Sequence, residues 1–231
     1  MKHIRQIIFD ADDTLWENNI YYLKAANAFF DLLESENIHR NSAEAEFDKL
    51  ELQVVNEFGY GSTNFVLILE ELFKRFNLKG QENRQKLKAI IAEFNMHKIN
   101  KPCLFENVTE IIKRMRREYD LYILTKGDFE EQESKIIKSG LSPFINQYFI
   151  LAEKDDLAYA QLLKKHNWHS DETCMIGNSP KSDINPALRN NMFAVHIPYR
   201  DTWKIDIEPI VNADGKYRQI NCFKELEQIF L

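Results

Sequence analysis

The chain has 231 residues, 44% hydrophobic and 29% charged, the balance of an ordinary folded protein of one or two domains with a substantial core. Its formal net charge is -6, and its 30 Lys and Arg residues are scattered, which argues against nucleic acid or an anionic membrane as partner and points to a small molecule. Cys103, Cys174 and Cys222 are far apart and odd in number, so neither a disulfide framework nor a zinc site is expected, and a reducing cytoplasm fits best.

The first element in chain order is Ile4 to Phe9, an Ile-rich stretch ending in an acidic cluster, which reads as a short buried parallel strand with polar residues at its C-terminal end. That stretch is too short for a signal-peptide core, and no later run is long enough to span a membrane. After Trp16 the period changes to that of helices. Apolar positions recur at Ile20, Leu23, Ala26, Phe30 and Leu33, and again at Phe65, Leu69, Leu72 and Phe76. Further helical stretches cover Ala43 to Phe58 and Gln81 to His97, with Gly59, Gly61 and Gly80 as punctuation. Gly59-Tyr60-Gly61-Ser62-Thr63 lacks the lysine of a phosphate loop and reads as a turn between helices.

From about Pro102 the pattern alternates. Helices are expected over Val108 to Arg116, Glu130 to Ser139, Asp155 to His166 and Ile184 to Asn190. Strands are expected over Leu121 to Thr125, Tyr148 to Leu151, Thr173 to Ile176 and Phe193 to Ile197. Tyr199 to Tyr217 reads as irregular, ahead of a closing helix over Phe223 to Phe230. Such alternation predicts an α/β fold: a doubly wound, Rossmann-like parallel sheet with an inserted four-helix cap. The expected division is a core of residues 1–16 and 101–231 and a cap of residues 17–100.

Ligand sites of open α/β sheets lie at the C-terminal ends of the strands, and four such ends carry reactive groups. Asp10-Ala11-Asp12-Asp13-Thr14 places two carboxylates two residues apart, one suited to be nucleophile or metal ligand and the other acid and base; a solvated acidic turn is the plainer alternative. Thr125-Lys126-Gly127-Asp128 offers a hydroxyl and backbone N–H groups for an anion, or simple turn and helix-cap chemistry. Lys154 offers an ammonium at a strand end; taken singly it reads rather as a surface lysine, and its meaning comes from order and position. Gly177-Asn178-Ser179-Pro180-Lys181-Ser182-Asp183 offers hard oxygens for Mg²⁺, or a helix cap in Ser182 or Asp183. Trp16, Asn18 and Asn19 are either substrate contacts or a hinge.

The ordered set Asp10-x-Asp12-x-Thr14, Thr125, Lys154 and Gly177-Asn178-x4-Asp183 resembles the haloacid dehalogenase superfamily, in its phosphatase branch with a helical cap after the first motif. The resemblance spans residues 4 to 200. It implies that Asp10 attacks phosphorus to give an aspartyl-phosphate and that Asp12 protonates the leaving oxygen and then activates water. It further implies that Thr125 and Lys154, with Lys126 and Gly127, hold the phosphoryl oxygens, and that Mg²⁺ sits among Asp10, the Asp12 carbonyl, Asn178 and Asp183. The implied partner is a small phosphate ester, acted on by a cytoplasmic monomer or homodimer. Asn178 is a departure, since many relatives carry Asp there. Phosphomutase and dehalogenase are rivals within the same chemistry. From other classes, a phospho-accepting signalling domain or a non-catalytic interaction protein is the alternative.

Overall fold

The structure, a computed structural model, describes residues 3–211 and 213–231, with 97–99 described by their backbone alone. It divides into two compact units, Met1–Asn19 with Pro102–Leu231, and Ile20–Lys101.

The first unit is built on β1 (Gln6–Phe9), β2 (Asp120–Lys126), β3 (Gln147–Leu151), β4 (Thr173–Gly177), β5 (Phe193–His196) and β6 (Tyr217–Gln219). The sheet order is β3-β2-β1-β4-β5-β6 and every pairing is parallel. This is the expected doubly wound arrangement, with β1 between β2 and β4 so that the chain reverses its winding there. Successive side chains of a strand face opposite ways, so β1 serves two cores at once. Ile7 and Phe9 pack with Val108, Ile111, Ile112 and Met115 of α5 (Val108–Met115), Ile136 of α6 (Phe129–Ser139), and Leu226 and Phe230 of α9 (Leu226–Phe230). Ile8 packs on the other side with Tyr159 and Leu162 of α7 (Asp156–His166) and with Ala187 and Leu188 of α8 (Asn185–Arg189). A parallel strand covered on both faces must be apolar throughout, hence the run Ile7-Ile8-Phe9.

Two differences from the expected elements have physical reasons. β6 lies at the end of a stretch read as irregular: only its first residue is partly buried and its next two are exposed, so it carries no apolar signal of its own. The stretch expected as a helix from Ile184 is preceded by a wide turn, Pro180–Ile184, which leads into α8 at Asn185.

The second unit contains α1 (Asn19–Ser35, whose first residue belongs to the sheet unit), α2 (Arg40–Phe58), α3 (Ser62–Arg75) and α4 (Gln81–Ile99). It has a core of its own, in which Phe29, Leu33, Leu69 and Leu72 are fully buried and Phe65 meets the rings of Tyr22, Phe47 and Phe94. Gly59-Tyr60-Gly61 forms the turn between α2 and α3, where the Asn64 side chain donates to the Gly59 carbonyl. No helix among the described residues is long and apolar enough to cross a membrane.

Candidate active site

The C-terminal ends of β1, β2, β3 and β4 bring Asp10, Thr125, Lys154 and the 177–183 loop to one edge of the sheet. The Lys154 ammonium donates to Asp10 Oδ1 at 2.6 Å and also to Asp183 Oδ1 and the Leu124 carbonyl. The Thr14 hydroxyl donates to Asp10 Oδ2 at 2.8 Å and lies 3.2 Å from Asn178 Oδ1. Asp10, Lys154, Asn178 and Asp183 are all buried. Lys154 is therefore no surface lysine; its charge is the counterion of two buried carboxylates.

One cation between two carboxylates leaves negative charge in excess. Burial first, and then the charge of Asp183, push the Asp10 carboxyl up to about 7 against the pull of Lys154. For Lys154, burial works against the charged form, but Asp10 and Asp183 outweigh it and hold the ammonium well above the ordinary lysine value.

The fourth loop is fixed by its own polar groups. Ser179 Oγ accepts from the Ser182 N–H at 2.9 Å, and Asp183 Oδ2 accepts from the Ser179 N–H at 2.9 Å, so Ser179 and Asp183 cap the turn in both directions. The Asp183 carboxylate lies so close across Gly177 that a Cβ there would stand 2.3 Å from Oδ2, which is why the strand ends in glycine. From β5, His196 Nε2 is 3.1 Å from the Asn178 carbonyl oxygen and braces the loop from the side.

Asp12 belongs to a separate network. Trp16 Nε1 donates to Asp12 Oδ1 at 2.7 Å, Gln132 Nε2 donates to Oδ2 at 3.0 Å, and the Lys135 ammonium reaches Oδ1 at 2.9 Å and Oδ2 at 2.7 Å. Burial alone would raise the Asp12 carboxyl, but the Lys135 charge and these hydrogen bonds outweigh it and hold it below the ordinary carboxylate value. Trp16 is thus a buried support, and Asn18 and Asn19 donate their backbone N–H groups to Asp13. Gln132 and Lys135 were not singled out from the sequence. They share the face of α6 that carries the buried Ile136 and Ser139, and the same three-residue spacing continues to the exposed Lys138, so the sequence pattern does not mark them.

The groups of the second strand end have partners of their own. Thr125 is buried and its oxygen accepts from Gln132 Nε2 at 2.8 Å. Lys126, the next residue on a pleated strand, faces the other way and gives its ammonium to Ser182 Oγ at 2.8 Å and Asp206 Oδ1 at 3.1 Å, with Glu153 at 3.6 Å. The Gly127 N–H continues the ladder to the Leu151 carbonyl, and Asp128 caps α6 by accepting from the Glu131 N–H. Of the four groups expected to hold phosphoryl oxygens, Lys126 thus meets Ser182 and Asp206 through its ammonium, and Gly127 meets Leu151 through its N–H.

The oxygen set suits a hard cation. Among the described residues no three His, Cys, Asp or Glu side chains form a metal-holding group. What stands here instead is two carboxylates, Asp10 and Asp183, beside the neutral oxygen of Asn178, and Mg²⁺ commonly takes one or two carboxylates and completes its shell with water and substrate.

A family model described as a haloacid dehalogenase-like hydrolase matches residues 4–190. Glyceraldehyde 3-phosphate phosphatase of Pyrococcus furiosus is 25% identical over 224 residues, which cover 93% of this chain and 89% of that protein. The HAD-hydrolase YfnB of Bacillus subtilis is 24% identical over 202 residues, 80% of each chain. A crystal structure of that protein bound to magnesium superposes with a TM-score of 0.63 at 20% identity over 99% of each chain. A haloacid dehalogenase-like family hydrolase of Xanthomonas campestris superposes with a TM-score of 0.81 at 26% identity, over 98% of this chain and 90% of that one. With strand-end carboxylates, an ammonium and a Gly-Asn loop in the order of that family, and with its model covering most of the sequence, the chain belongs to the haloacid dehalogenase-like hydrolases.

Proposed function

We propose that this hydrolase is a Mg²⁺-dependent phosphatase that removes the phosphoryl group of a small phosphomonoester through an aspartyl-phosphate on Asp10. The observation that carries the reading is the division of the two motif carboxylates. Asp10 is bound by Lys154 and Thr14, while Asp12 keeps its own cation and donors. A displacement at phosphorus needs such a division, with one carboxylate to attack and a second to move protons. The phosphatase from P. furiosus, similar over most of both chains, and the magnesium in the YfnB structure support it.

In the first step an ionised Asp10 oxygen bonds to phosphorus as the bond to the leaving oxygen breaks, and Asp12, itself ionised at rest beside Lys135, passes to that oxygen the proton it takes from the P–OH of the incoming monoester monoanion. In the second step Asp12 takes a proton from water, the water oxygen bonds to phosphorus, and the Asp10–phosphorus bond breaks. The Lys154 ammonium neutralises phosphoryl oxygens as charge gathers there. The Thr125 hydroxyl accepts from Gln132, which leaves its hydrogen to donate to a phosphoryl oxygen. Asp10, Asn178, Asp183 and the Asp12 carbonyl would hold the metal, which supplies further charge neutralisation and in-line alignment. In this reading the helical unit is the cap that selects the ester. The test is phosphate release from a panel of phosphomonoesters with Mg²⁺ and with chelator. Activity confined to the Mg²⁺ arm and lost in Asp10→Asn is expected. Release by Asp10→Asn near the parent rate would overturn the reading.

A further inference from the structure

Lys135 is a buried lysine whose ammonium has its partners in one place. It contacts both Asp12 oxygens, at 2.9 and 2.7 Å, and Asn18 Oδ1 at 3.1 Å, with Glu131 farther off at 3.8 Å. Gln132, one turn earlier on α6, ties the same carboxylate to Thr125, since its Nε2 lies 3.0 Å from Asp12 Oδ2 and 2.8 Å from Thr125 Oγ1. The start of α6 is fixed next to the end of β2 by the Asp128 cap. Asp12 is thus held on a frame that runs from β2 through α6 to the loop leaving β1, with Trp16 Nε1 closing it from that loop.

We propose that Lys135 is a positioning residue: with Gln132 and Trp16 it fixes where the Asp12 carboxylate stands, and thereby how well Asp12 serves the leaving oxygen. Its effect on turnover rests on the phosphatase reading; its effect on the position of Asp12 does not. Each Asp12 oxygen already accepts two donors, so the carboxylate meets a leaving oxygen only by exchanging some of these contacts, and Lys135 makes the largest share of them. A buried lysine that merely neutralised Asp12 would affect stability alike for any substrate. One that places Asp12 affects poor leaving groups most, because only they need the proton during bond breaking.

The first measurement needs no turnover. The Trp16 indole N–H resonance, assigned by Trp16→Phe, is compared in the parent, Lys135→Met, Lys135→Gln and Asp12→Asn proteins. In the Lys135 variants it should move towards its Asp12→Asn position. A resonance that keeps the parent position in whichever Lys135 variant folds would overturn the proposal, and this readout stands even if the parent hydrolyses no phosphomonoester. The second compares ethyl phosphate with p-nitrophenyl phosphate. Lys135→Met should lower kcat on the order of 100-fold for the alkyl ester and less than about tenfold for the aryl ester, with little change in KM. Lys135→Arg should recover part of the loss, and Lys135→Met should add nothing on the alkyl ester when Asp12 is already Asn. Equal losses on both esters, or a full further loss in the Asp12→Asn background, would overturn it.

Discussion

Asp13 adopts φ 61°, a left-handed conformation that short polar side chains accept, and its carboxylate takes the N–H groups of Asn18 and Asn19 at 2.8 and 3.0 Å. Burial first, and then the neighbouring charge of Asp12, push this carboxyl up from 3.8 to about 8. Between those values the folded chain binds more protons than the unfolded one, so stability falls as pH rises through the window. Asp13→Asn keeps the left-handed backbone and an acceptor oxygen but removes the charge. It should be neutral near pH 4 and increasingly stabilising towards pH 8, by up to about 5 kcal/mol, read as a rise in Tm. Thermal melts of both proteins across that range check this; a gain largest at low pH would reverse the assigned sign.

The turn after β4 shows how an element boundary carries the site. Gly177 has an ordinary backbone conformation, so its role is space alone: any Cβ would collide with the Asp183 side chain, which Lys154 and the Ser179 N–H hold in place. Gly177→Ala should therefore dislodge Asp183 from its buried ion pair and cost about 2–4 kcal/mol, read as a lower denaturant midpoint. An unchanged midpoint would mean that the turn gives way without loss. At this scale the sequence is readable where a motif sits at a strand end, because the fold gathers those ends at one edge whatever the side chains are. Asp10, Lys154 and Asp183 meet for that reason. It is silent where contact depends on the rotation of a helix about its axis. The hydrophilic pattern of α6 does not distinguish Lys135, buried on Asp12, from Lys138, which is exposed. The pleat likewise decides which of two adjacent polar residues meets Gln132, as Thr125 does, and which meets Ser182 and Asp206, as Lys126 does.

In the whole molecule, the sheet unit is closed at the point where the helical unit is inserted. The Glu17 N–H donates to the Cys103 carbonyl at 3.1 Å and the Phe105 N–H to the Leu15 carbonyl at 3.0 Å, so the outgoing and returning chains run side by side. Each unit has its own core. Replacing residues 20–101 with a short Gly/Ser linker should leave a protein that unfolds cooperatively and hydrolyses small activated esters weakly, with less discrimination among esters than the full chain. A non-cooperative melt would show that the units depend on each other for folding. The alternation of helix and strand after Pro102 made this architecture legible, whereas β6 was hidden because a three-residue edge strand takes its order from its partner β5. The central claim concerns the bond formed at Asp10. The most direct measurement is acid quenching of the Asp12→Asn protein during reaction with p-nitrophenyl phosphate and Mg²⁺, followed by mass spectrometry of the peptide that contains Asp10. A peptide heavier by one phosphoryl group, with the modification at Asp10 and lost on treatment with hydroxylamine, is the predicted result. Phosphate release by Asp10→Asn at the parent rate, with no modified peptide at any time, would contradict the account.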